Sequence, residues 1–150
     1  MKRRTFLQTS GIIGSATILS KPSLGQNQLA NEPIIIATWK NEKGTKSGWD
    51  KMMQTGRALD GVEAGAWIPE ADPNETSVGY GGLPDRDGHV TLDACIMDHL
   101  GNAGAVTFLE GIMHPISVAR AVMEKTPHVM LSGAGALKFA LEQGFKKQNL

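Results

Sequence analysis

The stretch TLDACIMDHLGNAGAVTFLEGIMHPISVARAVMEKTPHVMLSGAGALKFALEQG, residues 91–144, decides the fold class. In the run HVTLDACIM (89–97), Leu92, Ala94 and Ile96 fall on one face of a strand, and Met97 makes the other face partly apolar. A strand apolar on both faces belongs in a sheet covered on both sides. NAGAVTFLEGI (102–112) reads as the next strand of that sheet. His114-Pro115 then opens a helix, because proline is tolerated in the first turn. Its apolar stripe is Ile116, Ala119, Val122 and Met123, Arg120 and Glu124 can pair one turn apart, and Pro127 stops it. HVMLSG (128–133) reads as a strand, and AGALKFALEQG (134–144) as a helix closed by Gly144.

Working outward, Asp87-Gly88 signals a tight turn, and the short run Ser77–Tyr80 is expected to pair across it as a hairpin. PIIIATW (33–39) is a β-branched run opened by proline and predicts a buried strand. Lys40–Lys46 reads as a loop. From Ser47, a helix N-cap by chemistry, Trp49, Met52, Met53 and Leu59 recur at helical spacing with Gly56 on the same face. Asp60-Gly61 interrupts that pattern, VEAGAW (62–67) resumes it, and PEADPNET (69–76) is turn-rich. The sum is a layered α/β protein with a mainly antiparallel sheet between helices.

The chain has 150 residues, with 15 Lys+Arg balanced by 15 Asp+Glu. That length suits a single domain, and the balance gives no electrostatic reason to expect nucleic acid or an anionic membrane as partner. The first 25 residues read separately. MKRRTFLQTSGIIGSATILSKPSLG joins a basic start to a short apolar stretch, Gly11–Leu19, below the roughly 20 residues a membrane helix needs. Arg3-Arg4 before Thr5-Phe6-Leu7 resembles a twin-arginine export signal, so 1–25 is expected to be a signal peptide and 26–150 the domain. This implies a periplasmic or secreted protein with no stable membrane association. A lone Cys95 gives no disulfide framework, and inside an apolar run it reads as a buried, inert thiol.

Local motifs nominate no catalytic centre. Gly79-Tyr80-Gly81-Gly82 is followed by a strand rather than by Gly-Lys-Ser/Thr and a helix, so no helix N-terminus faces a phosphate. Asp85-Arg86-Asp87-Gly88 lacks the later ligands of a calcium loop, and His89, His99, His114 and His128 show no metal-ligand pairing. No cofactor and no metal is expected. No Gly-x-Ser-x-Gly elbow occurs.

Taken together, ATW (37–39), ALDGVEAGAW (58–67), SVGYGGLPD (77–85), TLDACIMD (91–98) and GAVTFLEGIMHPISVARAVMEKTPHVMLSGAGALKFALEQGF (104–145) resemble the glycosylasparaginase family. The resemblance runs from Ile34 to Phe145. It implies an N-terminal nucleophile hydrolase with a four-layer αββα sandwich, cleaving the bond between asparagine and N-acetylglucosamine. Such precursors cut themselves between aspartate and threonine, and the freed threonine supplies both hydroxyl nucleophile and amine base. This sequence has no Asp-Thr pair. The resemblance therefore implies an α-subunit or N-terminal fragment, inactive alone, whose partner is a β-subunit from the same precursor in an (αβ)2 assembly. Two supporting residues carry over: Trp39, lining the pocket, and Ser77, close to the threonine's amino end. Asn41 stands where many members have an aromatic. The alternatives are an isoaspartyl peptidase/asparaginase, or a non-catalytic remnant acting as an interaction module. ATWKNEKG (37–44), in place of a glycine-rich segment, favours the glycosylasparaginase branch.

Overall fold

A computed structural model describes residues 32–150, so the expected signal peptide lies outside the described residues. Residues 35–150 form one unit; residues 32–34 are the described end of another and carry no helix or strand. In chain order the elements are α1 (Glu42–Thr55), α2 (Ala58–Ala71), a 3-10 turn (Gly79–Gly81), β1 (Thr91–Met97), β2 (Ala103–Glu110), α3 (Pro115–Lys125), β3 (Met130–Ser132) and α4 (Gly133–Glu142).

The sheet runs β1-β2-β3. β1 pairs antiparallel with β2, and β2 parallel with β3 through the α3 crossover, so the sheet is mixed rather than mainly antiparallel. Ile96, Val106 and Leu109 share one core cluster with Ile116, Val118, Ala119 and Val122 of α3 and Ala136 and Ala140 of α4. Burial of each large aliphatic side chain there contributes about 1.5–3 kcal/mol. Gly104 lets α3 come close, since a Cβ on it would collide with the Ala119 carbonyl. Pro115 takes the first position of α3, and Gly144, at φ 90°, follows the end of α4 in the left-handed conformation.

The opposite face of the sheet is open among the described residues. Asp93, Cys95, Met97 and Met130 are exposed there, so nothing described covers that face, and the expectation of a buried Cys95 is corrected. The physical reason is the pleat: Cys95 lies between Ala94 and Ile96, so it points away from the face that packs on the helices. The pairing also slips between Leu92 and Ala94, where one residue of β1, Asp93, faces two of β2, Thr107 and Phe108. Phe108 absorbs this bulge at φ 52°, while Asp93 Oδ1 accepts from Thr107 Oγ1 at 2.7 Å and Phe108 N at 2.8 Å.

Other expectations are corrected by long-range packing. Residues 33–39 form no strand, because no neighbouring strand among the described residues pairs with them. α1 starts five residues before Ser47: Asn41 is the N-cap, its Oδ1 accepting from Gly44 N at 3.0 Å. Ser47 Oγ instead donates to the Ala64 carbonyl of α2 at 3.2 Å. Asp60-Gly61 does not interrupt α2, and Gly56 ends α1 in the left-handed conformation, φ 71°, rather than joining an apolar face. The buried residues of α1 are Gly44 and Gly48, Met52 stands against Gly61 of α2, and Met53 is exposed, so small residues let the two helices approach closely.

Nor is Ser77–Tyr80 a strand. The turn at Asp87-Gly88 forms, with Asp85 N donating to His89 O at 2.9 Å, yet it joins no two strands of the sheet. Gly79 and Gly81 wrap instead over residues 70–75: a Cβ on Gly79 would collide with the Glu70 backbone, and one on Gly81 with the Glu75 carbonyl. The aspartates are turn caps. Asp85 accepts from Asp87 N and His89 N, and Asp98 from Leu100 N and Asn102 N, each at 2.9 Å.

Candidate functional site

Trp39 leads into the N-cap of α1, while Ile68 and Pro69 stand in the last turn of α2, which ends at Ala71. Between them lies a cavity of about 290 Å³ lined by Trp39, Lys40, Asn41, Lys43, Ile68, Pro69, Asp72 and Glu75, among others. Trp39 is 60% exposed, so it is a wall of this cavity and not a core aromatic. The connection after α2 is built from short side-chain caps. Asp72 Oδ1 accepts from Asn74 N at 2.9 Å, and Asp72 O accepts from Glu75 N at 3.1 Å. Glu75 Oε1 then accepts twice from Ser77, from its hydroxyl at 2.5 Å and its backbone N at 3.0 Å.

These bonds set the electrostatics. The Ser77 hydroxyl, then its backbone N–H, hold the Glu75 carboxyl below its ordinary value. The backbone and side chain of Asn74 do the same for Asp72. Bonds that favour the ionised carboxylate weaken it as a base, so the contact orients the Ser77 hydroxyl. What the cavity offers is an aromatic face beside fixed carboxylates and lysines, suited to a polar ligand with an apolar side. Asn41 is turned into the α1 cap, which leaves its side of the cavity without a second aromatic wall.

Behind this cavity a buried polar seam ties α2 to α3. Glu70, 5% exposed, accepts from Ile116 N at 3.1 Å and pairs with His114 Nδ1 at 3.0 Å. Burial pushes its carboxyl up, only partly offset by His114 and the Ile116 N–H. His114 stacks on Trp67 at 5.5 Å between ring centroids, and Trp67 Nε1 donates to Ser117 Oγ at 2.7 Å. Arg120 closes the seam with Asp60 and Glu63, each at 2.7 Å, and Glu124 at 2.9 Å. Burial alone would lower the guanidinium; the bonds to Glu124, Asp60 and Glu63 outweigh it and hold it above its ordinary value. A larger groove of about 920 Å³ along α1 and α2 is lined by Asp60, Glu63, Trp67 and Arg120 together with Lys43 and Lys51 of α1, and in it Arg120 already spends its donors on carboxylates.

Of the two residues singled out in the sequence, Trp39 lines the cavity and Ser77 reaches it only through Glu75. Sequence reasoning missed Asp72, Glu75 and Glu70. The first two had a local signal, since Asp72-x-Asn74 and Glu75-x-Ser77 are side-chain capping spacings in a turn-rich segment. Glu70 had none, its partners lying more than forty residues away.

Proteins of known name have similar sequences. Relatives named N(4)-(beta-N-acetylglucosaminyl)-L-asparaginase include one from Elizabethkingia miricola, 53% identical over 99% of this chain and 46% of the relative. Another, from Mus musculus, is 41% identical over 79% of this chain and 34% of the relative. An isoaspartyl peptidase/L-asparaginase from Rattus norvegicus is 40% identical over 83% of this chain and 36% of the relative. The chain thus spans between about a third and just under half the length of these relatives. The family model described as asparaginase (Asparaginase_2) matches residues 22–150, and the chain belongs to that family.

Proposed function

We propose that this chain is the N-terminal portion of an amidohydrolase that cleaves the N-acetylglucosamine–asparagine bond of glycoasparagines. The observation that carries this reading is the likeness, along almost the whole chain, to the Elizabethkingia relative of that name. In this reading the catalytic threonine lies in a downstream half, freed by self-cleavage, and the assembly is (αβ)2. The open sheet face, with Met97, Met130 and Phe108 more than half exposed, is what the second sheet of a four-layer αββα sandwich would cover. Trp39 would line the pocket and Ser77 would stand close to the threonine's amine. Residues 1–25 would act as a twin-arginine-type signal, delivering the folded protein to the periplasm or beyond.

The test is turnover of an aspartyl-glucosamine analogue by the full-length gene product and by residues 26–150 alone. Turnover is expected from the first and none from the second; the reverse result, or activity in both, overturns the division of labour. The second reading, an isoaspartyl peptidase, is supported by the rat relative's 40% identity. Faster turnover of β-aspartyl dipeptides than of the glycosylated substrate would establish it instead.

A further inference from the structure

Ser77 has one hydroxyl proton, and the structure shows where it goes. An ionised carboxylate only accepts, so in the 2.5 Å contact with Glu75 Oε1 the proton is on the serine oxygen and directed at glutamate. The same oxygen also takes the Ser77 N–H, which fixes the serine backbone along with its side chain. Glu75 is itself anchored: its N donates to Asp72 O, and Gly81 lies so close to its carbonyl that no Cβ would fit. With its proton committed, the exposed Ser77 oxygen presents only lone pairs to whatever approaches.

We propose that Glu75 is a positioning residue that makes Ser77 a one-way hydrogen-bond acceptor, suited to an amine or ammonium N–H donor. The inference rests on the proposed function, in which that donor is the amino group of the catalytic threonine. Glu75 would then act twice, by orienting the serine oxygen and by placing a negative charge near the amine. Asp72 and Glu42 add to that charge from the cavity wall, and Lys40 and Lys43 oppose it. A nearby carboxylate favours the protonated amine and so raises its apparent pKa. The low carboxyl pKa of Glu75 keeps it ionised, and therefore accepting, through the neutral range.

The test uses the full-length, self-cleaved protein and an aspartyl-glucosamine analogue, with kcat/KM measured against pH for wild type, Glu75→Gln, Ser77→Ala and the double variant. Glu75→Gln should lower kcat on the order of ten- to hundredfold with little change in KM. The acidic limb of its profile should move to lower pH, and on the pH plateau adding Glu75→Gln to Ser77→Ala should lower kcat no further, the charge effect showing only as the same shift of the limb. An unmoved profile, or losses that multiply in the double variant, overturns the proposal, because a merely structural Glu75 would behave that way. If wild type does not turn the substrate over, the functional reading fails separately. The geometry is then judged by a 13C NMR titration of Glu75. Ser77→Ala should raise its carboxyl pKa toward the ordinary value, and no movement overturns the pairing.

Discussion

Gly48 and Gly61 meet backbone to backbone where α1 crosses α2. A Cβ on Gly48 would stand 2.6 Å from the Gly61 carbonyl oxygen, and one on Gly61 would stand 2.7 Å from that of Gly48. Alanine at either position gains about 1 kcal/mol of helix propensity. It also drives a methyl into main chain that cannot move without parting the helices, a cost of about 1–3 kcal/mol. The clash should win, and Gly48→Ala or Gly61→Ala should lower the thermal midpoint. Gly135, within α4 and with nothing near its would-be Cβ, is the control: Gly135→Ala should raise the midpoint or leave it unchanged. A rise for Gly48→Ala would mean that the helix crossing is loose.

Asp93 holds the bulge in β2. Its Oδ1 is the acceptor for both Thr107 Oγ1 and Phe108 N, and Phe108 sits at φ 52°, a conformation bulky side chains rarely adopt. Removing the acceptor leaves a strained residue whose exposed N–H has only water to bond. Asp93→Ala should cost about 1–3 kcal/mol, whereas Asp93→Asn, which keeps an oxygen at that position, should cost less. Equilibrium unfolding of the two variants decides this, and equal losses would remove the bulge argument.

The second half of the fold was legible because its signals are local and agree. In α3, Pro115 marks the start, Ile116, Ala119 and Val122 mark the buried stripe, and all are where the spacing puts them. The first half failed where the cause lies far along the chain. Gly44 reads as a loop residue, since glycine disfavours helix; only Gly65 of α2, whose Cβ would reach 3.0 Å from the Gly44 carbonyl, explains it. The Ile-rich run 33–39 has strand chemistry, but a strand needs a partner, and none lies among the described residues. Cys95 was misjudged for the same reason, because its face of the sheet is covered by nothing described. At the candidate site Trp39 and Ser77 came from family resemblance, while the Glu75 contact that links Ser77 to the cavity came from geometry.

Arg120 is the other long-range lock. Its pairing with Glu124 is a spacing any helix offers, but Asp60 and Glu63 reach it from α2, and its side chain is only 14% exposed. Truncation would leave Glu63 without its cation, and Asp60 and Glu124 with only Arg57, 3.9 Å from each. Arg120→Ala should therefore destabilise by about 1–3 kcal/mol, less than a fully buried pair because the network is partly exposed. Arg120→Lys, which keeps the charge but cannot fork to three partners, should recover part of that loss. The comparison is made by denaturant unfolding, and a neutral Arg120→Ala would show that the seam contributes nothing.

Glu70 gives the protein a pH dependence with a definite sign. Burial raises its carboxyl in the folded state, with His114 and the Ile116 N–H pulling the other way. Between the ordinary carboxyl value and the raised one, the folded protein therefore holds more protons than the unfolded chain. In that window the slope of stability with pH is negative. The contribution of Glu70 is fullest below its ordinary value and falls as pH climbs through the raised one. Glu70→Gln keeps an oxygen for Ile116 N, and its amide can donate to Nδ1 of the other His114 tautomer. It should remove this slope while largely preserving the fold. Glu70→Ala leaves the Ile116 N–H unpaired and should cost about 1–3 kcal/mol at every pH. Melting curves from pH 4 to 8 separate the two, and a Glu70→Gln profile parallel to wild type would place the titration elsewhere.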